Sequence, residues 1–394
     1  MTQVLLCGAA IVTLSMGIRH GFGLWLQPIT MERGWTRETF AFAMAIQNLA
    51  FGLAGPLVGM WADRFGAYRV LLACGAMYAL GLVLMGLSTS GLAFTASAGL
   101  LIGAAQSGST YAVVFGVIAR NVAPERRAWA MGVAAAAGSF GQFLMVPLEA
   151  WLIAHTGWQN ALFYLALSAL CILPLAAGLR EPAAAAPSRS DQSIGAALRE
   201  AFAYPSFRLL TAGYFVCGFH LAFIAVHMPS YLKDKGLDAG VATTALALIG
   251  LFNVFGSYAS GVLGSRYAKR HVLAAIYALR SVALVAFVIM PVTPWSVYVF
   301  ASAMGLLWLS TVPTTNALIA QIFGPKYLTM LGGFVFLSHQ IGSFMGAWLG
   351  GLLYDRTGSY TTMWWISVAL GIFAALVNLP VRETAIPRPA LASA

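Results

Sequence analysis

Two full charges stand where an apolar chain tolerates them least. Arg19 lies in a run from about 4 to 29, and Arg280 in a run from about 272 to 290, and neither run holds another Lys, Arg, Asp or Glu. A charge placed in hydrocarbon is costly, so its retention marks a ligand, an ion path or a staple between helices. A guanidinium can hold a carboxylate by two parallel hydrogen bonds. One helical turn either side of Arg19, on the same face, stand Ser15 and Phe22 with Gly23, a combination of hydroxyl, ring and space. The other reading of Arg19 is a staple between helices, paired with backbone carbonyls or with an acid from elsewhere in the chain. Arg280, in helical register with Tyr277, is read as such a packing residue. His20, His220, His227 and His339 place imidazoles in further apolar runs, with His227 seven residues beyond His220 on one face. Imidazole changes charge near neutral pH and suits proton transfer, although a hydrogen-bonded packing role fits each ring as well.

Other chemistries are excluded by what these runs lack. There is no Gly-x-Ser-x-Gly, no His-Glu-x-x-His, no intramembrane aspartate pair and no Gly-x-x-x-x-Gly-Lys-Ser/Thr, so neither an enzyme nor a nucleotide-driven pump is expected. Cys7, Cys74, Cys171 and Cys217 stand singly, and no metal or cofactor is expected. A channel would need a filter or a charged ring, and none is visible. No Asp or Glu is placed near the middle of any run, Asp63 and Glu149 being read at run ends. The balance of charge inside is therefore positive and suits an anionic substrate.

The elements that position these residues follow from composition. Of 394 residues 60 % are hydrophobic and 9 % charged, more apolar surface than a water-soluble fold of this length can bury. Runs long enough to cross a bilayer as helices recur at about 4–29, 39–61, 70–89, 93–119, 128–153 and 160–179, then 207–231, 241–262, 272–290, 296–323, 328–354 and 361–380. The expected fold is all-α, with twelve transmembrane helices in two pseudo-twofold related six-helix bundles. Residues 1–185 form the first bundle, 186–206 a cytoplasmic linker and 207–394 the second bundle. Gly59 to Gly66 recurs in shape from Gly261, and His155-Thr156-Gly157 matches Arg356-Thr357-Gly358, which supports two parallel repeats. Of the 20 Lys and Arg in connectors, 15 fall on the side that includes both termini, which places those termini in the cytoplasm of a multi-pass inner-membrane protein. Because the formal charge of +10 resides in connectors rather than on one face, nucleic acid is not an expected partner. Bends are expected at Pro56, Pro147, Pro229 and Pro313.

The connector after the second run reads Gly59-x-x-x-Asp63-Arg64-x-Gly66-x-x-Arg69, which resembles the signature loop of the major facilitator superfamily. That resemblance implies secondary transport by alternating access, with Gly59, Asp63, Arg64, Gly66 and Arg69 acting as a conformational latch. Gly34-Trp35-Thr36-Arg37, Pro229-Ser230-Tyr231-Leu232 and His339-Gln340-Ile341-Gly342 resemble the bacterial monocarboxylate and oxalate/formate branch. The eighth run departs from that branch, since it carries no Arg, Lys, Asp or Glu. The family arrangement implies that helices 1, 4, 7 and 10 line a central cavity. On that basis Arg19, Phe22, Gln106, Thr110, Tyr111, His220, Thr311 and Thr315 are the substrate-binding candidates, and His20, His220, His227 and His339 the proton-coupling candidates. The expected function is carriage of a small organic anion with a proton or in exchange, by a monomer in the bilayer. Efflux of drugs or amphipathic metabolites by the same fold is the alternative.

Overall fold

The computed structural model describes residues 2–122, 124–180, 194–323 and 328–386. Within them lie α1 (Thr2–Arg33), α2 (Arg37–Phe65), α3 (Ala67–Leu87), α4 (Gly91–Ile118), α5 (Pro124–Thr156) and α6 (Trp158–Leu179). After a short helix at Ile194–Ala203 come α7 (Pro205–Asp234), α8 (Ala239–Arg266), α9 (Lys269–Ile289), α10 (Pro294–Phe323), α11 (Leu328–Thr357) and α12 (Thr361–Asn378). Eleven of these are long and apolar enough to cross a membrane. The other, α11, is 30 residues long. It packs along α2 and α7, and its apolar character is diluted by His339, Gln340 and six glycines. The protein is an all-α membrane protein of about twelve helices. The expected boundary at 185/186 lies outside the described residues.

Local signals set the helix ends. Thr36 caps α2 by accepting from Thr39 N at 3.2 Å, and Asp238 caps α8 by accepting from Gly240 N at 2.7 Å. Gly34 ends α1 at φ +66 and Gly66 ends α2 at φ +86, backbone conformations that favour glycine.

Packing repeats between the halves. α1 lies on α5, α2 on α4 and α3 on α6, while α7 lies on α11, α8 on α10 and α9 on α12. Between the halves α2 meets α11 and α5 meets α8. The α1/α5 and α7/α11 crossings are close because a Cβ at Gly141 would strike the Thr13 carbonyl, and one at Gly342 the Phe215 carbonyl. One hydrophobic core is built almost entirely from residues before 180, and a second almost entirely from residues after 200.

Pro56, Pro147 and Pro229 sit inside continuous helix. Breaks occur at Gly21 in α1, at Thr110 in α4, at Cys171 in α6 and at Trp308 to Ser310 in α10, the last one turn before Pro313, which has no N–H for the Leu309 carbonyl. Each break frees backbone groups that water cannot reach in a bilayer, so side chains must satisfy them.

Candidate functional site

Arg19 is the last residue but one of the regular first part of α1, two residues before the break, and is half-buried. Its Nη1 donates to Gln106 Oε1 on α4, and its Nη2 donates to Asn48 Oδ1 on α2 at 2.5 Å. The guanidinium carbon lies 4.9 Å from the centre of the Phe51 ring. Gln106 Nε2 donates to the Tyr78 hydroxyl on α3 at 3.3 Å, and that hydroxyl donates to the Ser15 carbonyl at 3.3 Å. Every partner is neutral. Two of the five guanidinium N–H groups are engaged by these amide oxygens, which leaves three, and among the described residues Arg19 makes no ion pair.

The cluster continues into the second half. Gln340 Nε2 on α11 donates to the Asn48 carbonyl at 2.9 Å, and its Oε1 lies 2.9 Å from His339 Nδ1. Phe336 packs edge-on against Phe51 at 5.4 Å and stacks with His339 at 5.8 Å. Arg19, Gln106, Asn48, Gln340 and His339 thus form one polar chain across the boundary between the halves.

The remaining candidates fall elsewhere. Phe22 is buried in the first core, and Thr110 is buried at the α4 break, where its hydroxyl donates to the Gln106 carbonyl at 2.8 Å. Tyr111 follows that break, half-buried, with its hydroxyl against Gly138 of α5. His20 is half-buried, with Nδ1 2.6 Å from the Met16 carbonyl. His220 is buried in the second half, its Nε2 2.7 Å from the Ser367 carbonyl of α12. His227 is also buried, held by the Tyr360 hydroxyl at 3.1 Å and the Ala347 carbonyl at 2.7 Å. Thr311, 3.3 Å from Cys217 Sγ, and Thr315 are buried inside the second half. Arg280 donates Nε and Nη2 to the Leu307 carbonyl, and Nη2 also to the Trp308 carbonyl, so it closes the α10 break.

The breaks in α4 and α10 are repeat-related. Ser15 and Ser109 hydroxyls meet at 3.0 Å, and 202 positions on, Cys217 meets Thr311. Tyr78 and Arg280 are separated by the same offset, a register that the Gly59 and Gly261 repeat already contained.

A second polar set lies at the end of the molecule that carries the α1/α2 turn. Arg37 forks onto Asp234 of α7 with both bonds at 2.7 Å and donates to the Tyr360 hydroxyl at 3.1 Å. Burial raises the Tyr360 phenol above its ordinary range, so it takes part as a neutral hydroxyl. Asp355 at the end of α11 accepts from the backbone N–H groups of Arg37 at 3.2 Å and Glu38 at 2.7 Å, placing a carboxylate at the positive end of α2. Trp348 donates to Glu38 at 3.0 Å. A Cβ at Gly351 would strike Ala41 and Glu38, and one at Gly23 the Ala225 carbonyl. Sequence reading missed this set, because its partners lie about 200 to 320 residues apart.

Contact between the halves weakens toward the other end. Gly52 still abuts Gln340 and Gly250 abuts Gln142, but Gly55, Gly59, Gly132, Gly261 and Gly333 have no described atom within 4 Å of a Cβ position. The described polar contacts between the halves thus lie at the Arg37 end and around Asn48 and Gln340. The side chains of Asp63 and Arg64 lie outside the described residues, and Arg69 is exposed. Next to this loop Arg180 donates to the Tyr68 hydroxyl at 2.9 Å. Surface clefts of about 410 and 480 Å³, one beside Arg208 and one between α9 and α12, do not include Arg19.

The sequence profile described as Major Facilitator Superfamily matches residues 5–347. Monocarboxylate transporter 13 of Bos taurus is similar at 26 % identity over 386 residues, covering 93 % of this chain and 86 % of the relative. The oxalate:formate antiporter of Oxalobacter formigenes is 23 % identical over 392 residues, covering 96 % and 90 %. In fold, a bacterial homolog of the human lysosomal transporter Spinster, solved inward-facing and unoccupied, superposes with a TM-score of 0.74 at 15 % identity, covering 96 % of this chain and 93 % of that one.

Proposed function

The chain belongs to the Major Facilitator Superfamily, and we propose that within it the protein is a secondary carrier of small organic anions of the monocarboxylate type. It is a multi-pass membrane transporter and not an enzyme. The observation that carries the substrate class is Arg19, a guanidinium held at bilayer depth by Gln106, Asn48 and Phe51 with no carboxylate among its described partners. Three free N–H groups are enough for a bidentate carboxylate. Relatives named for monocarboxylates, oxalate and formate support the same class.

Residues 1–185 and 207–394 would act as two bodies, tied by the 186–206 linker, that rock about the Arg19 cluster within a monomer. The basic connectors put both termini in the cytoplasm. In that orientation the Arg37, Asp234 and Asp355 set is a closed periplasmic gate, and the Gly59 end faces inward. The Gly59, Asp63, Arg64, Gly66 and Arg69 loop is then the latch for the opposite state. Counterflow in proteoliposomes tests the reading, with labelled lactate, pyruvate, formate and oxalate as probes. Saturable counterflow of at least one of them is expected, and its absence for all would overturn the substrate class.

A further inference from the structure

Glu149 has no part in the anion cluster or the gate. The sequence suggests a position at a run end, yet it is fully buried on α5. Trp25 Nε1 donates to its Oε2 at 3.0 Å, and its Oε1 has no hydrogen-bond partner. The carboxyl lies directly against Gly21, where a Cβ would collide with both oxygens. Gly21 is the single turn between the α-helical part of α1 and its 3₁₀ segment Phe22–Trp25. An ionised carboxylate with one bare oxygen is strongly disfavoured in such surroundings, whereas a proton on Oε1 removes the charge.

The titratable groups around it leave that need unmet. On α1, Arg19 gives two of its N–H groups to Gln106 and Asn48 and forms no ion pair with Glu149, and His20 is engaged by the Met16 carbonyl. On α3, the Tyr78 hydroxyl donates to Ser15. His227 of α7 is held by Tyr360 and Ala347. α6 carries no Asp, Glu, Lys, Arg or His, and α8 carries one such residue, Arg266, at its far end. None of these groups makes an ion pair with Glu149 among the described residues.

The 3₁₀ segment also separates this acid from the boundary between the halves. On its other side Gly23 abuts the Ala225 carbonyl and Pro229 of α7. Parting of the halves at this end would withdraw α7 and leave one layer of broken helix between Glu149 and water. We infer that Glu149 binds a proton as the Arg37 end closes, and that this proton travels with the anion and leaves along α1 past His20 toward the Arg19 cluster. The inference rests on the anion-carrier reading and selects proton symport over exchange.

Two measurements on the full-length protein test it. In an infrared pH titration across the range in which carboxyl and imidazole groups ionise, the wild type should show a protonated-carboxyl C=O band that Glu149→Gln lacks. Identical spectra would overturn the inference. If Glu149→Gln is not recovered folded, Trp25→Phe should shift the band by removing the donor to Oε2, and an unmoved band has the same negative meaning. In proteoliposomes with labelled lactate, external acid should drive accumulation by the wild type. Glu149→Gln should keep lactate exchange and lose accumulation, and accumulation at the wild-type level would refute the role. A wild type that carries no lactate speaks against the anion reading alone, and the infrared titration then decides the case for Glu149.

Discussion

Replacing Arg19 measures how much of the anion affinity resides in its planar fork. In the unliganded arrangement Gln106 and Asn48 each take one N–H, and the three that remain can give a carboxylate two parallel bonds. A lysine has three donors on one nitrogen, so keeping both amide contacts leaves one for the substrate. Loss of one charge-assisted bond costs about 1.5 to 3 kcal/mol. At about 1.4 kcal/mol per decade, Arg19→Lys should weaken anion binding roughly ten- to a hundredfold. Arg19→Gln loses both bonds and the positive potential that offsets carboxylate desolvation, so it should bind anions more weakly still. The assay is equilibrium binding or counterflow with labelled lactate, normalised to protein that elutes as a monodisperse peak. Wild-type affinity in both variants would refute the reasoning and reduce Arg19 to a staple among α1, α2 and α4.

The same assay should separate Arg280 from Arg19. Arg280→Gln exposes the Leu307 and Trp308 carbonyls at the α10 break and should lower thermal stability by about 1 to 3 kcal/mol per lost partner, with anion affinity within a few-fold of wild type. A collapse of affinity in a stable Arg280→Gln protein would contradict this. Asp355→Ala removes the acceptor of the Arg37 and Glu38 amides, and at about 0.5 to 2 kcal/mol for a helix cap should shift the population toward opening at that end. Spin-label distances across the α1/α2 and α11/α12 turns should broaden to longer values, and unchanged distributions would remove Asp355 from the gate. Asp63→Asn should insert and fold normally but turn over slowly, and normal transport would leave the Gly59 to Arg69 loop as a topology signal. Reporter fusions at both termini should give a cytoplasmic readout, and a periplasmic one would invert the gate assignment.

Much of the fold was legible because hydropathy needs no partner information. Eleven long apolar helices were marked by composition, and α11 was found despite its polar His339 and Gln340 because of its length. The α10 break lies one turn before Pro313 and was legible, but those at Gly21 and Thr110 were not, since neither is followed by a proline within a turn. Whether Gly21 or Thr110 interrupts a helix depends on which side chains wait nearby to accept or donate. Arg19 announced itself as a charge in an apolar run, and Gln106 as a polar residue on a helix that the family arrangement places at the cavity. Glu149 and Tyr78 did not, because burial against Gly21 and pairing with Gln106 arise only once α1, α3, α4 and α5 are assembled. The gate was hidden for the same reason, as each residue looks like an ordinary exposed connector charge until the halves meet.

The repeat-related breaks in α4 and α10 bear on how the two halves have diverged. The first half closes its break with rotatable hydroxyls, Thr110 and Ser109 bonding back to Gln106 and Ala105, with a phenol at position 78. The second uses a guanidinium at the matching position, buried and with Nη1 unpartnered. A duplicated gene can drift apart freely on its lipid face, but here it has adopted two incompatible chemistries for one structural problem. The halves have therefore ceased to be interchangeable parts. A hybrid of two first halves would have no interior cation at position 280, while a hybrid of two second halves would bury two guanidiniums and keep neither Arg19 nor Glu149. Shuffling between relatives should consequently succeed when each half is taken whole and kept in its own place, and fail when equivalent helices are traded across the repeat.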